Sequence, residues 1–445
     1  MAMAIARGFG VKQMVFYRVV RGRYVTDRAK LCPSNRKMSA SSYNLYLWIF
    51  LSLNFLQWIA IVEPEYGLPQ ALKYMFSVFA LGSMLWYRFR FPVKSAETIT
   101  FEPLILFFVA WSLFLLGQAA LGFDGLFSIQ RVLGQRYFFL PYLLPLIVLY
   151  TRYEASFFAR LLKVGVPLLA LSVLVQFYVL AFNLGGGMYE ALHRILLFDT
   201  GSALFLLTAH LSQNKWATWL TLAYFILAIV LYAQFGRRGL FLESLLLLLA
   251  MLVLRLRSPL SGVRDRMVLY FGIVVLGLLV MVSFEPVLSR AFIFQRGFDQ
   301  GAIDASRGQV FADFFLDFGK PGDWLFGRGL DGHILRTIAE DESEQLIENG
   351  FLTVLLKGGL LYLIPMLLLM LRSAWLGLVR SRNDLARALA LLVLVQIVGM
   401  VLFGLPDYAT QYLWVWIAMA GCHSLALRRL SNQELYLIYQ QQERL

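Results

Sequence analysis

Charge is scarce in this chain, and so are the residues that build metal and redox sites. Only 15% of its 445 residues are charged and 59% are hydrophobic. Soluble domains carry about a quarter charged residues and roughly half apolar ones. With a mean hydropathy of +0.67, the imbalance marks an all-α polytopic membrane protein. The two cysteines, Cys32 and Cys422, fall in a basic N-terminal stretch and in the last apolar segment, which indicates neither a disulfide nor a Cys-based metal site. Four histidines are present, His193, His210, His333 and His423, and no pair has zinc-ligand spacing. A paired-aspartate motif for a nucleotide-sugar metal and a Walker A lysine are both missing, so no metal, no ATP and no other cofactor is expected. The net charge of +13 would suggest nucleic acid in a soluble chain. Here the basic residues read as membrane anchors, and no nucleic-acid partner is expected.

What is present is a series of apolar segments, each close to the roughly 20 residues a spanning helix needs. They lie at about 44–62, 68–86, 103–121, 137–150, 163–183, 195–212, 216–235, 239–254 and 267–283, then 349–371, 386–404 and 408–427. That makes about twelve spans, with ten or eleven the alternative because the fourth and sixth are short. Residues 1–43 hold nine Lys/Arg against one acid, Asp27, and read as a cytoplasmic arm rather than a signal peptide. With both termini inside, 27 Lys/Arg fall on the cytoplasmic side and 11 on the other, as the positive-inside bias requires. The polar stretch 284–348 is then an extracytoplasmic loop before the tenth span, and 428–445 a cytoplasmic tail. Kinks are expected at Pro141 and Pro145 in the fourth span and at Pro365 in the tenth. No fixed-period repeat is visible.

Arginines on the translocated side oppose that bias and ask for a reason. Arg131 and Arg136 precede the fourth span, and Arg237 and Arg238 sit between Gly236 and Gly239. Guanidinium is a permanently charged, bidentate ligand for phosphate. With Arg307 added, the set suggests a shared anionic ligand, against pairing with lipid headgroups as the bland reading.

Asp341, Gln345, Asn349, Thr353 and Lys357 recur every four residues, which on one continuous helix would form a polar stripe descending into the membrane. Lys357 would lie about 12 Å below Asn349 at 1.5 Å per residue, with Glu243 or Asp199 as candidate partners. Glu344 and Glu348 are also four apart, and mutual repulsion would raise the proton affinity of at least one. That makes Glu348 a candidate general base. His333 is a second candidate, in the glycine-rich turn Gly327-Arg328-Gly329-Leu330-Asp331-Gly332-His333.

The pattern Phe326-Gly-Arg-Gly-Leu, followed by Asn349-Gly350-Phe351-Leu352 and Lys357-Gly358-Gly359-Leu360, resembles the O-antigen polymerase and O-antigen ligase superfamily. Ser306-Arg307-Gly308 and Arg237-Arg238-Gly239 resemble its arginine-glycine positions, and the likeness covers roughly residues 230–375. One departure stands out: Glu348 occupies the place where the family usually has histidine before the asparagine. The resemblance implies a GT-C-like, metal-independent, inverting glycosyltransferase of the bacterial inner membrane, with its site facing the periplasm. Its donor would be a polyprenyl-diphosphate-linked glycan and its acceptor a second glycan, with membrane lipids and a chain-length regulator as further partners. In that reading Arg237, Arg238 and Arg307 neutralise the diphosphate, while Arg131 and Arg136 hold a second phosphate or the acceptor's lipid. Glu348 or His333 is the base, Asn349 orients it or a sugar hydroxyl, and Arg328 and Lys357 line the substrate site. Polymerisation is the first expectation, ligation to lipid A–core the second, and a transporter of lipid-linked sugars the alternative of another class.

Overall fold

The computed structural model describes residues 103–122, 138–182, 199–212, 215–235, 237–258, 311–334, 347, 349–402 and 410–444. To these it adds single residues at 125, 132 and 267 and scattered helical ones between 75 and 89. All of them belong to the larger of two compact units, Tyr46–Leu445. Every element among them is helical. The first six are α1 (Pro103–Leu121), α2 (Leu140–Leu149), α3 (Ala155–Ala181), α4 (Asp199–Thr208, continued by a 3-10 turn at Ala209–Leu211), α5 (Lys215–Gln234) and α6 (Arg238–Arg257). Then come α7 (Pro321–Phe326), α8 (Gly350–Val379), α9 (Asp384–Leu402), α10 (Thr410–His423), α11 (Leu425–Arg429) and α12 (Asn432–Arg444).

Six of these, α1, α3, α5, α6, α8 and α9, are long and apolar enough to cross a membrane, so the chain is a multi-pass helical membrane protein. The expected count of twelve is not reached among the described residues. The expected spans at 44–62 and 267–283 lie outside them, apart from Met267. The fourth and sixth expected spans are ten-residue helices, and α10 has 14 residues.

Helix ends depart from the hydropathy boundaries for local reasons. The third helix starts at Ala155, eight residues before the expected apolar edge, because its basic first turns are covered by the C-terminal helix. Arg160 donates to the side chain of Gln442, and Lys163 Nζ lies 3.4 Å from the carbonyls of Gln442 and Glu443. The C-terminal stretch is therefore a packed helix, with Leu435 and Tyr439 buried. Its first residue, Asn432, pairs reciprocally with Asp384 at the start of α9: the Asp384 amide donates to Asn432 Oδ1 (2.7 Å), and Asn432 Nδ2 donates to Asp384 Oδ2 (3.0 Å).

At the centre stands α8, packed against α1, α7, α9 and α10. Tyr362 is fully buried there, its ring 5.0 Å from Phe108 of α1 and 5.3 Å from Tyr142 of α2. Trp416 of α10 stacks on Phe108 at 5.3 Å. The kink expected at Pro365 is absent from the backbone torsions: the non-helical residue within α8 is Gly359. Pro141 occupies the first turn of α2, where its missing N–H needs no partner.

Candidate functional site at the broken helix

Asn349 opens α8. Its backbone is extended (φ −125°, ψ 116°), and its Oδ1 accepts the Leu352 amide at 3.1 Å, the capping bond a helix N-terminus calls for. Its Nδ2 donates to the Val401 carbonyl of α9 at 3.3 Å. The helix therefore starts after Asn349, and of the expected polar stripe Asn349, Thr353 and Lys357 are among the described residues. Thr353 Oγ1 lies 3.1 Å from the Ile347 carbonyl and 3.0 Å from that of Asn349, both of which accept from it.

Two turns further on the helix breaks. Gly359 takes φ 66° and ψ −173°, a region in which essentially only glycine is stable. A break of this kind strips backbone carbonyls of their helical partners, and in a membrane these must be satisfied within the protein. The loop after α7 supplies one donor, since the Arg328 amide reaches the Leu356 carbonyl at 2.7 Å. Trp111 of α1 supplies the other, its Nε1 donating to the Gly358 carbonyl at 3.0 Å. Gly327, with φ 73°, lies directly on the break. A Cβ there would meet Gly359 N at 2.6 Å, and one on Gly359 would meet the Leu325 carbonyl at 2.2 Å. The two backbones touch because neither residue has a side chain.

Side chains secure the same junction. Arg328 uses all five of its N–H donors: Nε and Nη2 to Asp323 (3.0 and 2.9 Å), Nη1 to Asp317 Oδ2 (2.5 Å) and the His333 carbonyl (2.9 Å), and Nη2 to the Asp317 carbonyl (2.7 Å). Its guanidinium also lies over the Phe318 ring at 5.4 Å. Lys357 Nζ donates to the carbonyls of Leu330 and Gly332, both at 2.8 Å, and so fixes the turn leading to His333. Beneath the loop, Phe314 and Phe318 are buried in a cluster with Ile347 and with Leu352, Leu355 and Leu356 of α8.

The structure thus unites Arg328, Lys357 and His333 in one folded unit. With every donor engaged inside the protein, Arg328 holds the loop rather than presenting a free fork to a ligand. Lys357 bonds the loop's carbonyls, while Glu243, its proposed partner, accepts from Gln396 at 2.6 Å. His333 is exposed, with Nδ1 3.4 Å from the Asp331 carbonyl. Arg237 is exposed at the N-cap of α6, and Arg238 is that helix's first residue. Arg131, Arg136, Arg307 and Glu348 lie outside the described residues, as do Asp341 and Gln345. Trp111, Asp317 and Asp323 were not singled out by the sequence. The two acids flank Phe318-Gly319-Lys320-Pro321-Gly322, a turn-like stretch that carries no motif of its own. Among the described residues no group of three or more His, Cys, Asp or Glu is placed to hold a metal. Comparison with protein-family models, with curated proteins and with solved structures finds no match.

Proposed function

We propose that this chain is a membrane glycosyltransferase that lengthens a glycan carried on a polyprenyl diphosphate. One observation carries the reading: the two separated parts of the motif, Phe326–Leu330 and Lys357–Leu360, interlock at the Gly327–Gly359 contact. Residues that merely fill a loop and a lipid-facing helix would have no need to do so. The junction holds His333 at the rim of a rigid element, where a catalytic group can be placed reproducibly.

In the reaction, the acceptor hydroxyl attacks the donor's anomeric carbon. A new carbon–oxygen bond forms as the bond to the diphosphate breaks, the configuration inverts, and the lipid diphosphate leaves. Glu348 or His333 takes the hydroxyl proton. Arg237, Arg238 and Arg307 meet the charge that develops on the leaving group, and Arg131 and Arg136 hold a second phosphate or the acceptor's lipid. Asn349 orients the base through the helix start it caps.

A transporter is the reading of another class, and one observation favours it, since discontinuous helices often line transport sites. Here, however, the Leu356 and Gly358 carbonyls already accept from Arg328 and Trp111, and the Gly327 backbone lies against the break, so protein groups occupy the place a coupling ion would take. The test is purified protein in liposomes with a lipid-diphosphate-linked repeat unit, without added metal or ATP. A ladder of products supports polymerisation. A single addition, made only when lipid A–core is supplied, supports the ligase. Translocation without new glycosidic bonds refutes both. Arg307→Ala should lower turnover without unfolding the protein, and whichever of Glu348→Gln and His333→Ala leaves turnover unchanged is not the base.

A further inference from the structure

The element before the broken helix is polar enough in sequence to be read as a cap in water, yet its contacts lie deep along two spanning helices. Phe326 packs on Trp111 with ring centroids 5.8 Å apart. Trp111 lies ten positions before the end of α1, about 15 Å along its axis at 1.5 Å per residue. Gly327 touches Gly359, nine positions into α8, or about 14 Å. The two estimates agree, and both equal about half of a 30 Å hydrocarbon layer. From there the chain climbs: Gly329 lies beside Gln118, near the end of α1, and Lys357 holds Leu330 and Gly332 above the break.

The outward surface of this element is apolar. Leu316 is 80% exposed, Phe315 53%, Phe326 49% and Leu325 47%. Phe326, packed on Trp111, continues the face on which α1 presents Phe107 and Phe114, which flank Trp111 and are themselves exposed. Of the five charged residues between Phe311 and Leu330, Asp313 is buried and Asp317 and Asp323 are closed onto Arg328. Lys320 alone is exposed, on a stem long enough to snorkel. A carboxylate–guanidinium–carboxylate cluster with every guanidinium donor used is the form in which charge survives in low dielectric. An aqueous loop would have no need to neutralise itself while turning leucine and phenylalanine outward.

We infer that residues 311–330 form a re-entrant element immersed in the bilayer. Phe315, Leu316, Leu325 and Phe326 meet lipid acyl chains, and the chain regains the water boundary at Asp331–His333. The inference concerns location and stands whether or not the protein transfers sugars.

The test uses the full-length protein with Cys32→Ser and Cys422→Ala, spin-labelled at Leu316→Cys or Leu325→Cys in phosphatidylcholine liposomes. Leu106→Cys, on the exposed face of α1, is the lipid reference, and Asp331→Cys the aqueous one. At both loop positions oxygen should collide more often than a water-soluble nickel chelate, with a ratio near that of Leu106 and several-fold above that of Asp331. A nickel accessibility equal to that at Asp331 overturns the inference. The unsubstituted protein gives a second reading that needs no engineered cysteine. Irradiation in vesicles whose acyl chains carry a diazirine should leave adducts on peptides covering 311–326, and adducts on α1 without any on those peptides likewise overturn it.

Discussion

Replacing Gly359 by alanine tests the junction most directly. Alanine at φ 66° and ψ −173° carries a strain of about 1–3 kcal/mol. Its Cβ would stand 2.2 Å from the Leu325 carbonyl oxygen and 2.6 Å from the Gly327 amide nitrogen. Both are backbone atoms, so the loop must retreat by roughly an ångström, and the bond from the Arg328 amide to the Leu356 carbonyl is lost, at about 1 kcal/mol. Alanine favours helix over glycine by about 1 kcal/mol, which rewards straightening of α8 only once the loop has left. Together these destabilise the docked loop by about 2–4 kcal/mol. At 1.4 kcal/mol per factor of ten, the Arg328 amide should exchange with deuterium on the order of 100-fold faster than in the parent protein. Gly322→Ala is the control, since nothing lies within 4 Å of a Cβ at that position. Unchanged protection at Arg328 in Gly359→Ala would refute the view that the loop's backbone is what fills the break.

Three further outcomes follow from the same contacts. Arg328→Lys should behave almost like Arg328→Ala, because an ammonium has three donors and no fork. Two carboxylates are then left facing each other, and a lower thermal midpoint in detergent, equivalent to about 2–4 kcal/mol, is the readout. Trp111→Phe keeps the ring packing on Phe326 but loses the donor to the Gly358 carbonyl; it should cost about 1–2 kcal/mol, with faster exchange in the residues after the break. Asn432→Ala removes two buried hydrogen bonds to Asp384 and should release α12 from α3, seen as new protease cleavage after residue 431 and a stability loss of about 2–3 kcal/mol.

Composition and apolar run length were enough to establish a multi-pass helical protein, because a bilayer accepts little else. They also located the cores of α1, α3, α5, α6, α8 and α9 to within one or two turns. Where charge interrupts a helix they failed: Arg160 and Lys163 sit inside α3 because residues of the distant α12 accept hydrogen bonds from them, a pairing no local window contains. The glycine-rich motif before the tenth expected span and the glycine pair within it were both legible as motifs. That one closes on the other was not, since the contact depends on two backbones meeting across the fold. Proline chemistry pointed to a kink at Pro365, whereas the break sits at Gly359. Proline loses one donor and can remain helical, but a glycine at positive φ is held there only when something fills the gap. Arg328 and Lys357 were legible as cations with some task. Only the tertiary structure decided that the task is to saturate carboxylates and loop carbonyls, because hydrogen-bond geometry is a property of groups brought together in space and not of their order along the chain.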